Sequence, residues 1–269
     1  MSLLRPEAWV RRLARPQPLY VHARGVWQPS APGADSGAST NLATAALPVA
    51  GQSHADLSAW IGSRPARDGL LVISSALMHA LVLRDAALPL RHESELLPYA
   101  RQQFALVHGA AAQTWPLALW SDWPLQVACA LHGLDLPAMA RSARRSGLRL
   151  RRARPWWSVA WRRAHADASW AARPRRAVLL VEGAQTTWMV GDGTGLAALT
   201  ARRLAAPGLA ALLELLAELQ AADGLDREAT RVVGSGLALD EDPERLDRHA
   251  ISDAAVLARP WPSLDAIAP

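Results

Sequence analysis

Apolar runs alternate with short polar breaks along most of this chain, and their lengths and periods sort them into strands and helices. Leu19–Val26 fits a strand pair. Gly69-Leu-Leu-Val-Ile-Ser-Ser is a continuous apolar run of strand length, and Ala80-Leu-Val-Leu-Arg is another, after a break at Ser74–His79. From Glu93 the period changes: Leu96, Leu97, Ala100, Phe104 and Val107 fall on one face of a helix, which Gly109 ends. Trp115–Trp120 and Leu125–Leu131 read as strands joined by the turn Ser121-Asp-Trp-Pro. Leu136–Arg145 is a helix closed by Gly147, and Leu148–Arg152 a strand.

The second half repeats that grammar. Ala177–Glu182, Thr186–Val190 and Leu196–Arg202 are strands, with Gly191-Asp-Gly-Thr-Gly as a hairpin turn. Pro207–Ala222 is the strongest helix, opened by Pro207 and Gly208 and closed by Gly224. Thr230–Val233 is a further strand. Three strands, a helix and a strand thus occur once here and, with decoration, once before. The duplication predicts two related α/β lobes.

The flanks differ. Residues 1–17 form a basic segment whose apolar side is Leu3, Leu4, Trp9, Val10 and Leu13, stopped by Pro16 and Pro18. Residues 29–52, rich in Ala, Ser, Gly, Pro and Thr, have almost nothing to bury and read as a flexible loop. A helix is predicted from Ser53 to Ile61, with Ser53 as N-cap and Asp56 in the capping-box position. The lobes are expected at 18–155 and 156–240, with a tail at 241–269. Asp240, Glu241 and Asp242, where the second lobe gives way to the tail, read as a solvated acidic loop.

Composition narrows the chemistry. The longest candidate membrane span, Ala205–Ala222, is broken by Pro207, Gly208, Glu214 and Glu218. The basic N-terminus is followed by no apolar block, so no secretory signal is read and a soluble, intracellular protein is expected. Cys129 is the sole cysteine, which excludes an internal disulfide, and its apolar surroundings predict a buried, inert thiol. The eight histidines show no ligand-like spacing, so no metal is expected. All 29 basic side chains other than histidine are arginine, which rules out a Schiff-base or P-loop lysine. Gly-x-Ser-x-Gly is absent, and no catalytic residue is assigned. Within the net charge of +5, Arg141, Arg144, Arg145, Arg149, Arg151, Arg152 and Arg154 form one run. It reads as a solvated helix end followed by an amphipathic strand with its arginines facing water. Binding of nucleic acid or anionic lipid is the alternative.

The order of elements resembles the actin-like ATPase fold, built from two ribonuclease H-like lobes. Within it, Leu71-Val-Ile-Ser-Ser-Ala-Leu-Met, Glu95 with Tyr99-Ala-Arg-Gln-Gln-Phe104, His108-Gly109 and Trp115 are similar to PilM-type proteins of type IV pilus assembly and to the cytoplasmic part of GspL-type secretion proteins. Val181-Glu-Gly-Ala-Gln-Thr-Thr-Trp with Asp192-Gly193 carries the likeness in the second half. The resemblance covers about half the chain. It implies a cytoplasmic scaffold at the inner face of the inner membrane, gripping the cytoplasmic tail of a membrane partner and linking the platform to a separate motor ATPase. A homodimer is compatible with it; a nucleic-acid partner is not expected, and membrane association would run through the partner.

In that superfamily each lobe presents a strand-turn-strand hairpin to the phosphates, with an aspartate that positions metal and water. The family's Asp-x-Gly-x-x-Thr pattern falls on Val181 to Thr186: Gly183 and Thr186 are kept, the acid position is Val181, and Glu182 stands one residue away on the opposite sheet face. In the first lobe Ser74 and Ser75 occupy the comparable turn, without acid or glycine. Gly234-Ser-Gly236 resembles the turn on the adenosine side. Gly183, Thr186, Gly234 and Gly236 therefore mark a vestigial nucleotide pocket that does not hydrolyse, with no cofactor required. A nucleotide-binding or ATP-hydrolysing sugar-kinase-like protein is the alternative. Asp192 reads as a hairpin aspartate.

Twelve tryptophans stand against one phenylalanine and two tyrosines. Trp115 and Trp188 are assigned to the core, and Trp156 and Trp157, after Pro155 at the lobe junction, to a surface that anchors a partner.

Overall fold

Eleven strands in three sheets are traced by the computed structural model, which describes residues 17–22, 25–27, 68–83, 92–120, 127–131, 136–145, 147–206 and 208–236. The expected N-terminal segment, the 29–52 loop, the 53–61 helix, the turn 121–124 and the tail lie outside these residues. The chain divides into two compact units: Met1–Ile73 with Asp135–Arg154 and Leu264–Pro269, and Ser74–Leu134 with Pro155–Ser263.

In the first unit, β1 (Gln17–His22) turns back antiparallel into β2 (Gly25–Trp27). It also pairs parallel with β3 (Asp68–Ile73), Tyr20 opposite Val72. Helix α2 (Leu136–Arg145) feeds β7 (Arg149–Pro155), giving the sheet order β2-β1-β3-β7. Leu19 to Val21, Leu70 to Ile73, Met139, Ala143 and Leu148 are all buried. Gly147, with φ of 83°, closes α2 as the sequence predicts, and Leu148 N–H donates to the Ala143 carbonyl at 2.9 Å.

The second unit contains an antiparallel sheet ordered β4-β6-β5, from Met78–Val82, Val127–Leu131 and Leu117–Trp120. Helix α1 (Glu93–His108) lays Ala100 and Phe104 on it against Ala128 and Ala130. Every residue of β6 is buried, and burial pushes the Cys129 thiol up to about 12, the inert state expected of it. Trp115, assigned to the core, is only half-buried, stacked on His79 with ring centroids 5.0 Å apart.

The other sheet of this unit runs β10-β9-β8-β11, from Gly195–Arg203, Gln185–Asp192, Arg176–Glu182 and Thr230–Ser235. Three strands form an antiparallel meander, and β11 returns parallel to β8 after helix α5 (Leu209–Asp223). Residues of one parity (Ala177, Leu179, Val181, Trp188, Val190) pack against Leu209, Leu212, Leu216 and Leu219 of α5. Gly191, of the other parity, lies under the Trp161 indole of helix α3 (Trp156–His165). A sheet covered on both faces leaves no polar side, so β8 is buried throughout.

Two expectations are corrected. The boundaries 18–155 and 156–240 do not describe the packing: residues 74–134 belong with 155–263. The reason is contact: β4 lies against β10, and the Ser75 backbone is bonded to Glu182. In addition, the run 156–171, for which the sequence pattern gave no element, is α3 followed by the short α4 (Ala168–Ala171).

Candidate functional site

The predicted glycines meet at the C-terminal ends of β8 and β11. Gly183 sits in the turn between β8 and β9 with φ of 65°, and its N–H donates to the Ser235 carbonyl at 2.9 Å. Gly234 pairs with Val181 at a φ of 142°, and a Cβ there would stand 2.7 Å from both the N and the C of Val181. Gly236 has φ of 78°, and its carbonyl lies 3.5 Å from where a Gly183 Cβ would be. Such torsions and approaches exclude side chains, so the three glycines form a bare backbone edge. Thr186, the fourth predicted residue, is fully buried opposite Val181, and its hydroxyl donates to the Arg202 carbonyl at 3.3 Å.

Val181, at the acid position, is wholly enclosed in the α5 core. Glu182 takes the other face, as the alternation predicts, but is buried as well, at 5% exposure. Its carboxylate accepts the Ser75 N–H at 3.0 and 3.3 Å. Ser75 opens a single 3₁₀ turn, Ser75–Leu77, whose N-cap Ser74 accepts the Ala76 N–H at 3.1 Å. The serine turn that lacks an acid in sequence therefore receives one in space, from a residue 107 positions away. No local pattern could have paired them; the only signal was an acidic residue ending an otherwise apolar strand.

Trp156 and Trp157 are not surface anchors. Both are 2% exposed, on a helix buried at every position from Trp156 to Trp161 and again at Ala164. Trp157 meets Trp120 edge to face at 6.3 Å, and the Arg163 guanidinium lies 5.7 Å from the Trp156 ring. The burial of an apolar helix face against a sheet outweighs the exposure expected of residues next to a proline. Trp188 is core as predicted, its N–H donating to Asp223 at 2.7 Å.

The Arg176 guanidinium lies beside the rings of both Trp161 and Trp170, 5.9 and 5.8 Å from their centroids. Burial lowers its pKa, partly offset by Asp192. His165 packs against both indoles, and burial, reinforced by Arg176, lowers its pKa. Asp167 caps α4 and binds Arg231 at 2.7 Å. Its carboxyl is held well below the usual range, first by the Ser169 hydroxyl, then by Arg231 and the Trp170 N–H. Asp192 accepts from the backbone and hydroxyl of Thr194, each at 2.7 Å, as a hairpin aspartate does.

Of the arginine run, Arg141, Arg144, Arg145, Arg149, Arg151 and Arg152 face solvent, whereas Arg154 is buried and corrects the expectation there. Among the described residues no group of three or more His, Cys, Asp or Glu could hold a metal, and no helix is long and apolar enough to cross a membrane.

This geometry belongs to an α/β fold of the actin-like ATPase kind. A Bacteroides thetaiotaomicron protein described as having an actin-like ATPase fold and unknown function superposes with a TM-score of 0.53, at 10% identity over 92% of this chain and 90% of that one. The PilM-PilN type IV pilus biogenesis complex is matched with a TM-score of 0.50 and 15% identity, over 83% of this chain and 82% of the other. The cytoplasmic domain of EpsL, an inner-membrane component of the Vibrio cholerae type II secretion system, overlaps at a TM-score of 0.39 and 13% identity, over 70% of each chain. No protein-family model and no curated protein matches the sequence.

Proposed function

We propose that the chain is a scaffold of a type IV pilus or type II secretion-like assembly platform. It has two ribonuclease H-like lobes, binds the cytoplasmic tail of an inner-membrane partner at the inner face of that membrane, and does not hydrolyse ATP. The observation that carries the reading is Val181. The position where the superfamily holds a metal-orienting acid is here an apolar side chain at 0% exposure among Leu209, Leu212 and Leu216. A carboxylate there would be desolvated at a cost of several kcal/mol. The nearest carboxylate, Glu182, is spent on the Ser75 N–H. The likeness in fold to the PilM-PilN complex supports the choice of machine.

One observation favours the alternative of a nucleotide-binding protein: Gly183, Gly234 and Gly236 converge with positive φ at one edge. A calorimetric titration with magnesium–ATP separates the two. Saturable binding with phosphate release sinks the scaffold reading. Absence of binding, together with saturable binding of a synthetic peptide copying the cytoplasmic tail of a membrane protein encoded beside this chain, upholds it.

A further inference from the structure

Glu182 stands in the middle of the glycine edge. Gly183 follows it in the chain, Ser235 is its register partner on β11, and Gly234 and Gly236 flank Ser235. Its side chain lies on the sheet face opposite to that of Val181 and α5. Thr187 of β9 shares that face, because it pairs with Leu180 and the alternation returns to the same side at Glu182. The 3₁₀ turn that holds Ser75 also lies against β9.

Hydrogen-bond donors gather around this carboxylate. The Ser75 N–H donates to both of its oxygens, at 3.0 and 3.3 Å. The hydroxyls of Ser75 and Thr187, residues 6% and 1% exposed, have no hydrogen-bond partner among the described residues. Burying a hydroxyl without a partner is costly, so the pair marks a place with more donors than one carboxylate uses. With glycines of positive φ baring the adjoining backbone, the surroundings suit an anion rich in acceptor oxygens, as a phosphate group is.

One residue opposes that use. Capping the Ser75 N–H needs only an acceptor, and a glutamine of the same length would serve without burying a charge. The turn already has a local cap in Ser74, which accepts the Ala76 N–H. A carboxylate does what an amide cannot: it fills the position as an anion and repels a second one.

We infer that Glu182 determines what the glycine edge admits: its carboxylate is the edge's own anion and shuts out phosphate groups, whether free or carried by a nucleotide. The inference rests on the reading of the chain as one that does not hydrolyse ATP, and names the residue that enforces it.

Thermal melts of the full chain in inorganic pyrophosphate, at ionic strength held constant with sodium chloride, test it against Glu182→Ala. The variant's vacated position takes the anion, so its Tm rises over the parent's by about 3–6 °C once pyrophosphate reaches about ten times its Kd. Glu218→Ala, an equal charge change on an exposed residue of α5, responds as the parent does. Glu182→Ser replaces the alanine variant if that fails to fold. Magnesium–ATP in place of pyrophosphate separates the sources: a rise with both assigns the barrier to phosphate in general, and a rise with ATP alone assigns it to nucleotides. An equal rise in the parent or in Glu218→Ala overturns the inference, as does a folded Glu182 variant that responds to neither ligand. A parent that hydrolyses magnesium–ATP brings down the underlying reading as well; an inert parent beside an inert, folded variant brings down the role of Glu182 alone.

Discussion

Gly234 and Gly183 both stand at the glycine edge with positive φ, yet replacing each with alanine should have unequal costs. At Gly183 the added methyl meets only the Gly236 carbonyl at 3.5 Å, an ordinary contact. The penalty is then that of a left-handed L-residue, about 1–2 kcal/mol. At Gly234 the same torsional penalty applies, but the methyl also overlaps the Val181 backbone, whose N and C lie 2.7 Å away. A backbone cannot rotate aside, so β11 must move off β8, adding overpacking strain of about 1–3 kcal/mol or more. The totals are roughly 2–5 against 1–2 kcal/mol, a factor of about two at their centres. At about 2–4 °C per kcal/mol, Gly234→Ala should lower Tm by about 10 °C and Gly183→Ala by about 4 °C. Circular-dichroism melts and urea titrations of both variants measure this. Equal losses, or a Gly234→Ala protein within about 1 kcal/mol of the parent, would refute the close strand approach from which the difference is derived.

Glu182→Ala should cost about 1.5–3 kcal/mol by leaving the Ser75 N–H without its charged acceptor, and Glu182→Gln less, since an amide oxygen still accepts; a rise in stability of either variant in urea would show that burying the charge outweighs the bond. His165 titrates lower folded than unfolded, so the unfolded chain binds more protons once pH falls below about 6.5. Stability is therefore full above that pH and lost as pH falls toward the folded value; His165→Phe should flatten this part of the Tm-against-pH curve, and an unchanged slope counts against the assignment. Trp161→Ala should lose about 3–5 kcal/mol, because it empties the space between Gly191, Trp170 and Arg176; a loss near that of an exposed residue in a denaturant titration would contradict the packing.

Much of this molecule was legible in one dimension. The meander 176–203, the helix 209–223 and the return strand 230–235 follow from apolar runs and periods, with Gly208 and Gly224 marking the helix ends. Gly147 and Gly109 announced helix ends, and both hold the positive φ that such ends require. Gly183, Gly234 and Gly236 were likewise visible, because glycine in a strand exit records a backbone constraint at that residue.

What the sequence by itself determined is what each residue fixes through its own backbone and its nearest neighbours: period, turn and cap. Only the tertiary structure decided which faces close on each other. Trp156 and Trp157 carry the same side chains whether they anchor a partner or fill a core, and the covering of both faces of β8 and β9 made α3 an inner layer. The pairing of Glu182 with Ser75 and the grouping of residues 74–134 with 155–263 depend on contacts across more than a hundred positions. Such contacts form because buried polar groups must find partners and apolar faces must find cover, and local pattern states the need without naming who meets it.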